Sequence, residues 1–444
     1  MAAAVEPRID VGQLIDARPL SGIALRVLIL CALVMLLDGY DIQTMALAVP
    51  SVAAQWELPP AGFWLAQSAG VLGMGLGSAF LAPLGDRIGR RPIIIGFVLL
   101  VGCASLCTPL ALTIVQFAAW RLLTGLGLGA SLANATALTS EYVPARRHTL
   151  LVTLMFCNVA VGAFVAAYTA PAIIARFGWR GLFVAGGLLP LALGVCLLVA
   201  LPESLRFLLA SRSGDRAIGP LLARIAPGHS RAMVYVPQAG PLRRGSVREL
   251  LTPEYRRRTL LLWGMFCLNL AVVYFLISWL PALLGAESWS RDAALRGTAL
   301  FQAGGVAGGV LVAWRLDRGR MAQTLASAYL VAAAVLAVFL LTHPTVGLWS
   351  ALILVLGIGV SGAQLALYAL AAQAYPPAIR ATGLGWTATV SRLGAVCGPI
   401  IGGWLLRLEM GAGGILGVLL LPTLACALGA TLLPRALRRT SSRA

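Results

Sequence analysis

The sequence predicts an all-α membrane protein with twelve transmembrane helices in two pseudo-symmetric six-helix bundles. Three observations lead to this fold class. Of the 444 residues, 59% are hydrophobic and only 11% are charged, whereas a soluble domain is about 45–50% apolar and about 25% charged. Twelve apolar segments follow one another, each near the roughly 20 residues that cross a bilayer as a helix. Paired motifs also recur at an offset of about half the chain, as expected for a duplicated unit.

The predicted helices start after a polar tail, residues 1–22. The first apolar segment, 24–49, is too long for the core of a signal peptide, so we expect it to stay in the protein as a membrane helix. The eleven segments that follow cover 62–84, 93–112, 114–140, 150–173, 181–201, 257–282, 294–314, 323–342, 346–373, 383–406 and 411–434.

The basic residues indicate how these helices are oriented. All 34 are arginine, and most lie in alternate connections between the predicted helices. Positive charge concentrates on the cytoplasmic side of a membrane protein, so we expect both termini and the central loop in the cytoplasm. The net charge of +18 is then a topology signal. Nucleic-acid binding is not expected, because no interleaved aromatic motif accompanies the arginines.

The remaining composition excludes several classes of site. The absence of lysine excludes a Schiff-base or lysine-nucleophile enzyme, and we expect no enzymatic activity. The eight cysteines all lie in apolar segments without a Cys-x-x-Cys pair, which indicates packing residues. Because the three histidines lie in short connections, the spacing supports neither a metal site nor a disulfide framework.

Two motif pairs mark the internal duplication. Residues 85–90 follow the second predicted helix as Gly-Asp-Arg-Ile-Gly-Arg, and 316–320 follow the eighth as Leu-Asp-Arg-Gly-Arg. Similarly, 142–147 follow the fourth helix and 375–380 the tenth. A duplicated membrane protein places a solute path between its halves, near mid-membrane. The predicted divisions are an N-terminal bundle at 1–202, a cytoplasmic central loop at 203–256 and a C-terminal bundle at 257–444.

Only four charged side chains lie deep in the predicted helices: Asp38 and Asp41 in the first, Arg121 in the fourth and Arg392 in the eleventh. A charge at the middle of a membrane helix costs on the order of 2.5–3.5 kcal/mol, so these four are expected to be functional. They sum to zero, as paired charges would. The two aspartates are three residues apart and share a helix face, and Gly39 between them lets another backbone or a solute come close.

Asp41 and Arg121 are expected to meet. At about 1.5 Å per residue, both lie roughly 10–12 Å below the outer surface. Arginine does not release its proton, so the carboxylates are the groups that titrate. We therefore predict that Asp38, Asp41 and Arg121 couple transport to protons. The alternative is a static ion pair that holds the first and fourth helices together.

Arg392 is the predicted contact for a substrate carboxylate, because a planar guanidinium binds carboxylates bidentately. The alternative is a structural contact to a backbone carbonyl or a helix end. Gln364, Tyr368 and Trp386 could hydrogen-bond or stack on a hydroxylated ring. At helical spacing, such residues also serve as packing.

Several motifs together resemble the Major Facilitator Superfamily and, within it, the aromatic acid:proton symporter family. Residues 86–91 resemble the superfamily signature between the second and third helices. The narrower resemblance rests on Asp-Gly-Tyr-Asp at 38–41, on the segments 121–129 and 134–142, on 202–207, and on 379–383 with 391–394. It covers nearly the whole chain outside the central loop. It implies proton-coupled uptake of an aromatic acid by alternating access.

The resemblance also implies a role for the charged connection after the second helix. Asp86, Arg87, Arg90 and Arg91, beside Glu141 at the foot of the fourth helix, would form a cytoplasmic gate that latches the halves when the carrier faces outward. The alternative is a turn whose arginines only retain the connection inside.

Glycine rows invite a nucleotide-loop interpretation, which the sequence does not support. Gly125, Gly127 and Gly129 follow no strand and lie inside an apolar helix, so they predict close helix packing. The rows at 70–77 and 304–309 predict the same. No Walker sequence is present. We therefore expect no cofactor, and a proton gradient as the driving force.

Three functions remain open from the sequence. The preferred one is a monomeric, proton-coupled importer of an aromatic carboxylate of the hydroxybenzoate or phenylpropionate class. The alternative with the same fold is a proton-antiport exporter of drugs or metabolites, although buried arginines disfavour cationic cargo. A third hypothesis is a membrane sensor that binds a solute without moving it.

Overall fold

The computed structural model describes residues 8–210, 221, 234–236, 247–287, 289–316, 321–341, 345–375, 377–408 and 410–441. Residues 317–320, which carry most of the motif at 316–320, lie outside these residues, as does most of the central loop. The described chain is almost entirely helical, and its long helices follow the predicted apolar segments within a few residues at most ends.

The first set of helices covers residues 22–200. It consists of α1 (Gly22–Gln55), α2 (Trp64–Leu76, entered through a 3-10 turn at Pro60–Phe63 and continued by a π turn at Gly77–Leu81), α3 (Arg90–Cys107), α4 (Ile114–Tyr142), and α5 and α6, which share the continuous stretch His148–Ala200.

The second set of helices covers residues 256–441. It consists of α7 (Arg256–Ala286), α8 (Arg291–Leu316), α9 (Met321–Leu341), α10 (Val346–Ala374), α11 (Pro377–Leu406) and α12 (Ala412–Val418 continued by Leu420–Ser441).

Twelve membrane passes follow from these helices. Ten spans in the described chain are long and apolar enough to cross a bilayer. One of them contains both α5 and α6, because Gly178 has φ 66° and ψ −174° and reverses the chain there. Helix α8, with its mixed glycine and polar content, supplies the twelfth pass. Only a residue without a Cβ adopts such a φ readily, so glycine at 178 separates the two helices.

Close contacts through glycine hold the first set together. A Cβ on Gly39 of α1 would come within 1.8 Å of the Val159 carbonyl oxygen of α5. A Cβ on Gly125 of α4 would come within 2.0 Å of the Gly70 carbonyl oxygen of α2. These distances are too short for any side chain, so the backbones of α1 and α5, and of α2 and α4, are in direct contact. The predicted packing role of the glycine row in α4 is confirmed.

The second set repeats these pairings. Helix α8 packs on α10, where a Cβ on Gly304 would come within 2.2 Å of the Leu354 carbonyl oxygen. Helix α7 packs on α11, where a Cβ on Gly394 would come within 1.8 Å of the Cys267 carbonyl oxygen. The pairs α2–α4 and α1–α5 thus correspond to α8–α10 and α7–α11. This correspondence is the structural form of the duplication seen in the sequence.

The molecule has two ends, which we name by their connections. The charged end carries the connections at 82–89 and 143–147, and the opposite end carries those at 56–59 and 111–113. Two contacts between the two sets lie toward the opposite end. Gln302 of α8 donates a hydrogen bond of 2.6 Å to Gln43 of α1, and Trp64 of α2 lies against Gly403 of α11. The two sets are therefore closed together at that end.

A short sheet was not predicted. Arg8–Asp10 and Val234–Val236 form two three-residue strands that pair in parallel, with Ile9 opposite Tyr235. The pairing links the N-terminal tail to the central segment, although the two are separated by the whole first set of helices. Sequence patterns of three residues are too short to signal a strand, so the tail and the central loop were expected to be only polar connections.

Candidate functional site

The centre of the first set is an ion pair between Asp41 of α1 and Arg121 of α4. Arg121 Nη1 lies 2.9 Å from Asp41 Oδ1, and Nη2 lies 2.5 Å from Oδ2. Both side chains are only 4% exposed. This is the bidentate geometry that guanidinium and carboxylate groups favour. The meeting predicted from their depth is confirmed, while their role in coupling stays a prediction.

The packing around Arg121 explains why the pair forms. The glycine contacts between α2 and α4 leave no side chains between these helices, so Arg121 extends toward α1. On one side its guanidinium carbon lies 5.8 Å from the centroid of the Phe183 ring, a cation–π distance. Among the described residues its Nε atom has no hydrogen-bond partner. A buried cation with an unused donor depends strongly on the one carboxylate it contacts.

Asp38 is in a different environment, although it lies one helical turn from Asp41. It is 3% exposed, and its Oδ1 atom has no hydrogen-bond partner among the described residues. Arg392 of α11 acts on it electrostatically across the interface between the two sets. Gly39 presses α1 against α5, and the two aspartates on either side of it consequently project away from α5. The carboxylate of Asp38 is therefore buried near a cation without being bonded to it.

Arg392 lies in a cluster of aromatic and amide side chains from the second set. Its charge acts on Tyr274 of α7 and on Tyr368 of α10 as well as on Asp38. Arg392 is half-buried, and among the described residues no carboxylate lies within 4.0 Å of its guanidinium. The Arg392 guanidinium is thus positioned at the interface of the two sets with its binding capacity for an anion unused.

Gln364 and Tyr368 belong to this cluster. The Gln364 side-chain oxygen accepts a hydrogen bond of 2.5 Å from Asn269 of α7, while its Nε2 atom has no hydrogen-bond partner among the described residues. Tyr368 packs edge-to-face on Phe266 with ring centroids 5.0 Å apart. It is nevertheless 41% exposed, although protein groups surround it. A residue that is surrounded and still accessible lines a space inside the bundle rather than the outer surface.

Trp386 is not part of the same group. It is 40% exposed and its ring lies 6.3 Å from that of Trp263. At 3.6 residues per turn, Trp386 points about 120° around α11 from Arg392. Gly385 instead lies close to the Arg392 face, and a Cβ there would meet nothing within 4 Å. The space beside Arg392 therefore continues along α11 toward the charged end.

A small cavity lies beside the ion pair of Asp41 and Arg121. Its volume is about 30 Å³, and it lies between the first and second sets. Asp41, Arg121 and Gln67 line it from the first set, and Tyr274 and Ser278 from the second. Tyr274 both borders this cavity and interacts with Arg392. The ion pair and the Arg392 cluster are thus two parts of one site at the interface.

Four residues of this site were missed at the sequence level: Gln67, Asn269, Tyr274 and Ser278. A signal was available for two of them, since amides are rare within otherwise apolar membrane helices and usually face the bundle interior. Tyr274 gave none, because a tyrosine in an apolar segment is ordinary. Only the packing of α7 against α1 brings it to the interface.

The predicted gate residues form a network at the charged end, within the first set of helices. Arg90 Nη1 lies 2.5 Å from Glu141 Oε1, and Arg90 Nη2 lies 3.4 Å from Asp86 Oδ1. Arg91 donates to the Leu198 carbonyl oxygen at 2.5 Å, and Arg87 is exposed. The cluster therefore joins the start of α3 to the ends of α4 and α6. The described contacts do not include one to the second set.

Glu203 completes this network. Its Oε1 atom accepts hydrogen bonds from the backbone N–H groups of Arg90 and Arg91, at 2.9 and 3.1 Å. These are the free donors at the start of α3, where a carboxylate is favoured. Gly89, with φ 103°, lets the chain turn into that position. The Pro-Glu-Ser motif after α6 thus fixes the end of α6 to the start of α3.

Comparison with known proteins identifies similar chains. Residues 31–395 match the family profile of the Major Facilitator Superfamily. The 4-hydroxybenzoate transporter of Pseudomonas aeruginosa is 38% identical over 94% of this chain and 93% of the relative. The gallate transporter of Pseudomonas putida is 36% identical over 96% and 95%. The 3-(3-hydroxy-phenyl)propionate transporter of Escherichia coli is 35% identical over 87% and 88%.

Solved structures are similar at the level of the fold. A D-xylose-proton symporter has a TM-score of 0.67 at 18% identity, covering 92% of this chain and 97% of its own. A bacterial homolog of the human lysosomal transporter Spinster has a TM-score of 0.66, also at 18% identity, covering 94% and 96%. The predicted fold, twelve helices in two pseudo-symmetric bundles, is confirmed. By its profile, its relatives and its architecture, this chain belongs to the Major Facilitator Superfamily.

Proposed function

We propose that the protein is a proton-coupled importer of an aromatic carboxylate that works by alternating access. The observation that carries this proposal is the pair of buried arginines at the interface. The guanidinium of Arg121 forms an ion pair with Asp41. The guanidinium of Arg392 faces an internal space and has no carboxylate partner among the described residues. One guanidinium is thus occupied by the protein, and the other is available for an anion.

The relatives support the substrate class. The transporters that align with nearly the whole chain are named for 4-hydroxybenzoate, gallate and 3-(3-hydroxy-phenyl)propionate. Each of these molecules combines a carboxylate with a hydroxylated ring. Arg392 would bind the carboxylate bidentately, and Tyr274 and Tyr368 would contact the ring. Gln364, whose Nε2 atom has no partner among the described residues, would hydrogen-bond a polar group of the substrate, while Trp386 would border the path toward the charged end.

Proton coupling follows from the carboxylates of α1. Arginine stays charged, so a change of protonation at this site falls on Asp38 or Asp41. Protonation of Asp41 would weaken its bond to Arg121 and free α1 to move relative to α4. Asp38, near Arg392 but unbonded, would respond to a substrate anion bound on that arginine. Proton and substrate would then each change the affinity for the other, as thermodynamic linkage requires.

Orientation and moving parts complete the proposal. With the arginine-rich charged end in the cytoplasm, both termini are cytoplasmic and the described conformation is closed on the outer side. The moving bodies are residues 1–202 and 257–444, joined by the loop at 203–256. Asp86, Arg87, Arg90, Arg91 and Glu141 would latch the two bodies when the carrier opens outward. Because one chain supplies both bodies, a monomer in the bacterial inner membrane encloses the whole path.

Uptake into proteoliposomes tests the function. The purified protein should accumulate radiolabelled 4-hydroxybenzoate above equilibrium when the proton gradient is directed inward, and only equilibrate it when an uncoupler is present. Labelled acid that binds without crossing would instead support a sensor. Loss of labelled drug driven by an opposed gradient, with no aromatic acid uptake, would support an exporter.

A further inference from the structure

Gln67 of α2 is a residue to which the proposed function assigns no role. It is 5% exposed, and its side chain lines the cavity between the two sets. Both polar atoms of its amide, Oε1 and Nε2, are buried without a hydrogen-bond partner among the described residues. Buried polar groups are nearly always hydrogen-bonded. An amide with an unused donor and an unused acceptor therefore indicates a missing partner that can both accept and donate.

The surroundings of the cavity define that partner. Apolar side chains form most of its wall, among them Ile42, Val71 and Ile277. Among the described residues its charged groups are Asp41 and Arg121, which are bonded to each other, although the Nε atom of Arg121 keeps an unused donor. A site with an apolar wall and one free amide suits a neutral polar group attached to an apolar body. A hydroxyl group is such a partner, since it has one donor and two acceptor positions.

The size of the cavity shows which part of a substrate it can hold. Its volume of about 30 Å³ exceeds the roughly 10–15 Å³ that one water-sized group needs, but a cavity of about 150 Å³ is known to hold benzene. The cavity therefore accommodates a ring substituent, while the ring itself stays outside. Tyr274 borders the cavity and also interacts with Arg392, so the cavity and the proposed carboxylate site adjoin the same side chain.

We propose that Gln67 is a specificity-determining residue that binds the ring hydroxyl of the substrate. This inference rests on the proposed function, because it requires the carboxylate to lie on Arg392. The carboxylate and the hydroxyl at opposite ends of the ring are then held by different sets of helices, the second through Arg392 and the first through Gln67. A hydroxylated ring bridges the two sets, and an unsubstituted ring does not.

The test compares 4-hydroxybenzoate with 4-fluorobenzoate, which has a substituent of similar size without a donor. Uptake kinetics are measured in proteoliposomes for the unmodified protein, Gln67→Met and Ser68→Ala. Ser68 is the matched control, because its hydroxyl is also buried and unpartnered on the same helix but does not line the cavity. We expect the unmodified protein to prefer the hydroxylated acid by about tenfold or more in kcat/KM, as for a site built around a hydroxyl.

Gln67→Met should reduce the ratio of kcat/KM for 4-hydroxybenzoate to kcat/KM for 4-fluorobenzoate to about one, mainly by raising KM for 4-hydroxybenzoate. Its uptake of 4-fluorobenzoate should stay within about twofold of that of the unmodified protein. Ser68→Ala should keep the preference. An unchanged preference in Gln67→Met, or an equal loss for both acids including complete inactivity, overturns the inference and assigns Gln67 a structural role. So does an unmodified protein that does not distinguish the two acids. Failure of the unmodified protein to take up either acid would instead refute the proposed function.

Discussion

The two arginines predicted deep in the membrane helices, Arg121 and Arg392, differ in what surrounds them. Arg121 is almost fully enclosed, bonded to both oxygens of Asp41 and stacked near Phe183. Arg392 is half-buried, with tyrosines and Asp38 near it and no carboxylate within 4.0 Å among the described residues. The comparison shows that the Arg121 guanidinium is paired with a carboxylate of the protein itself, whereas the Arg392 guanidinium has no such partner among the described residues. In the proposed function, the same residue type would serve as a switch contact in one place and as a binding contact in the other.

Packing produces this difference. Around Arg121, α4 lies directly on α2 because Gly125 and Gly70 allow backbone contact. Around Arg392, Gly385 faces open space on the corresponding side of α11. Burial of the enclosed site lowers the local dielectric, which strengthens its ion pair. The open site keeps access for a solute.

The largest expected effect is at Asp41. Asp41→Asn removes the charge that balances Arg121, and breaking a buried pair costs on the order of 3–5 kcal/mol. We expect accumulation of substrate against its gradient to be lost, because no proton step remains at that position, while exchange of labelled for unlabelled substrate persists. Uptake and counterflow in proteoliposomes measure both. Asp292→Asn, at an exposed carboxylate of α8, is the control, and full accumulation by Asp41→Asn would remove Asp41 from the coupling mechanism.

The next effect is at Arg392. Arg392→Lys keeps the positive charge but not the planar fork, so it should lose one charge-assisted hydrogen bond to the carboxylate, worth about 1.5–3 kcal/mol. We expect KM to rise by roughly 10–100-fold. Arg407→Lys, at an exposed arginine just beyond α11, should leave KM unchanged. A structural role for Arg392 would be indicated by a lower Tm with an unaltered KM.

A matched pair of glycine substitutions tests the packing difference directly. Gly125→Ala introduces a Cβ within 2.0 Å of a backbone oxygen, and such overpacking costs about 1–3 kcal/mol. Gly385→Ala meets nothing within 4 Å and should be neutral or stabilising by up to about 1 kcal/mol through helix propensity. Thermal unfolding in detergent measures both variants. Equal Tm values would mean that α4 is not held on α2 as described.

The smallest effect is expected at the contact between Gln43 and Gln302, which joins α1 to α8. Gln43→Leu leaves the buried Gln302 amide without this partner and should lower stability by about 0.5–1.5 kcal/mol. The double variant Gln43→Leu/Gln302→Leu should recover part of that loss, since both amides are then replaced by apolar groups. Tm values for the two single variants and the double variant form the cycle. Strict additivity would show that the contact does not form in the resting protein.

Much of the fold was predictable because its signals are local. The apolar length of each segment and the repeated motifs at 85–90 and 316–320 predicted twelve passes in two halves. The same local pattern failed at 8–10 and 234–236, where pairing joins segments that are distant in the chain. Within the site, the depth of Asp41 and Arg121 predicted their contact, because helix geometry fixes depth. Depth does not fix the helix face on which a side chain lies. The sequence therefore grouped Trp386 with Arg392, whereas Trp386 points about 120° around α11 from it.

The sequence alone determined that this chain spans a membrane, that it repeats itself and that four charges are buried in it. Each of these follows from composition and spacing, since the bilayer requires apolar length and makes every buried charge costly. Tertiary structure alone decided how the charges are divided between partners. Among the described residues Asp41 is bonded and Asp38 is not. Gln67 and Tyr274 lie at the same interface, because the rotation and crossing of helices depend on backbone contacts between residues far apart in the chain.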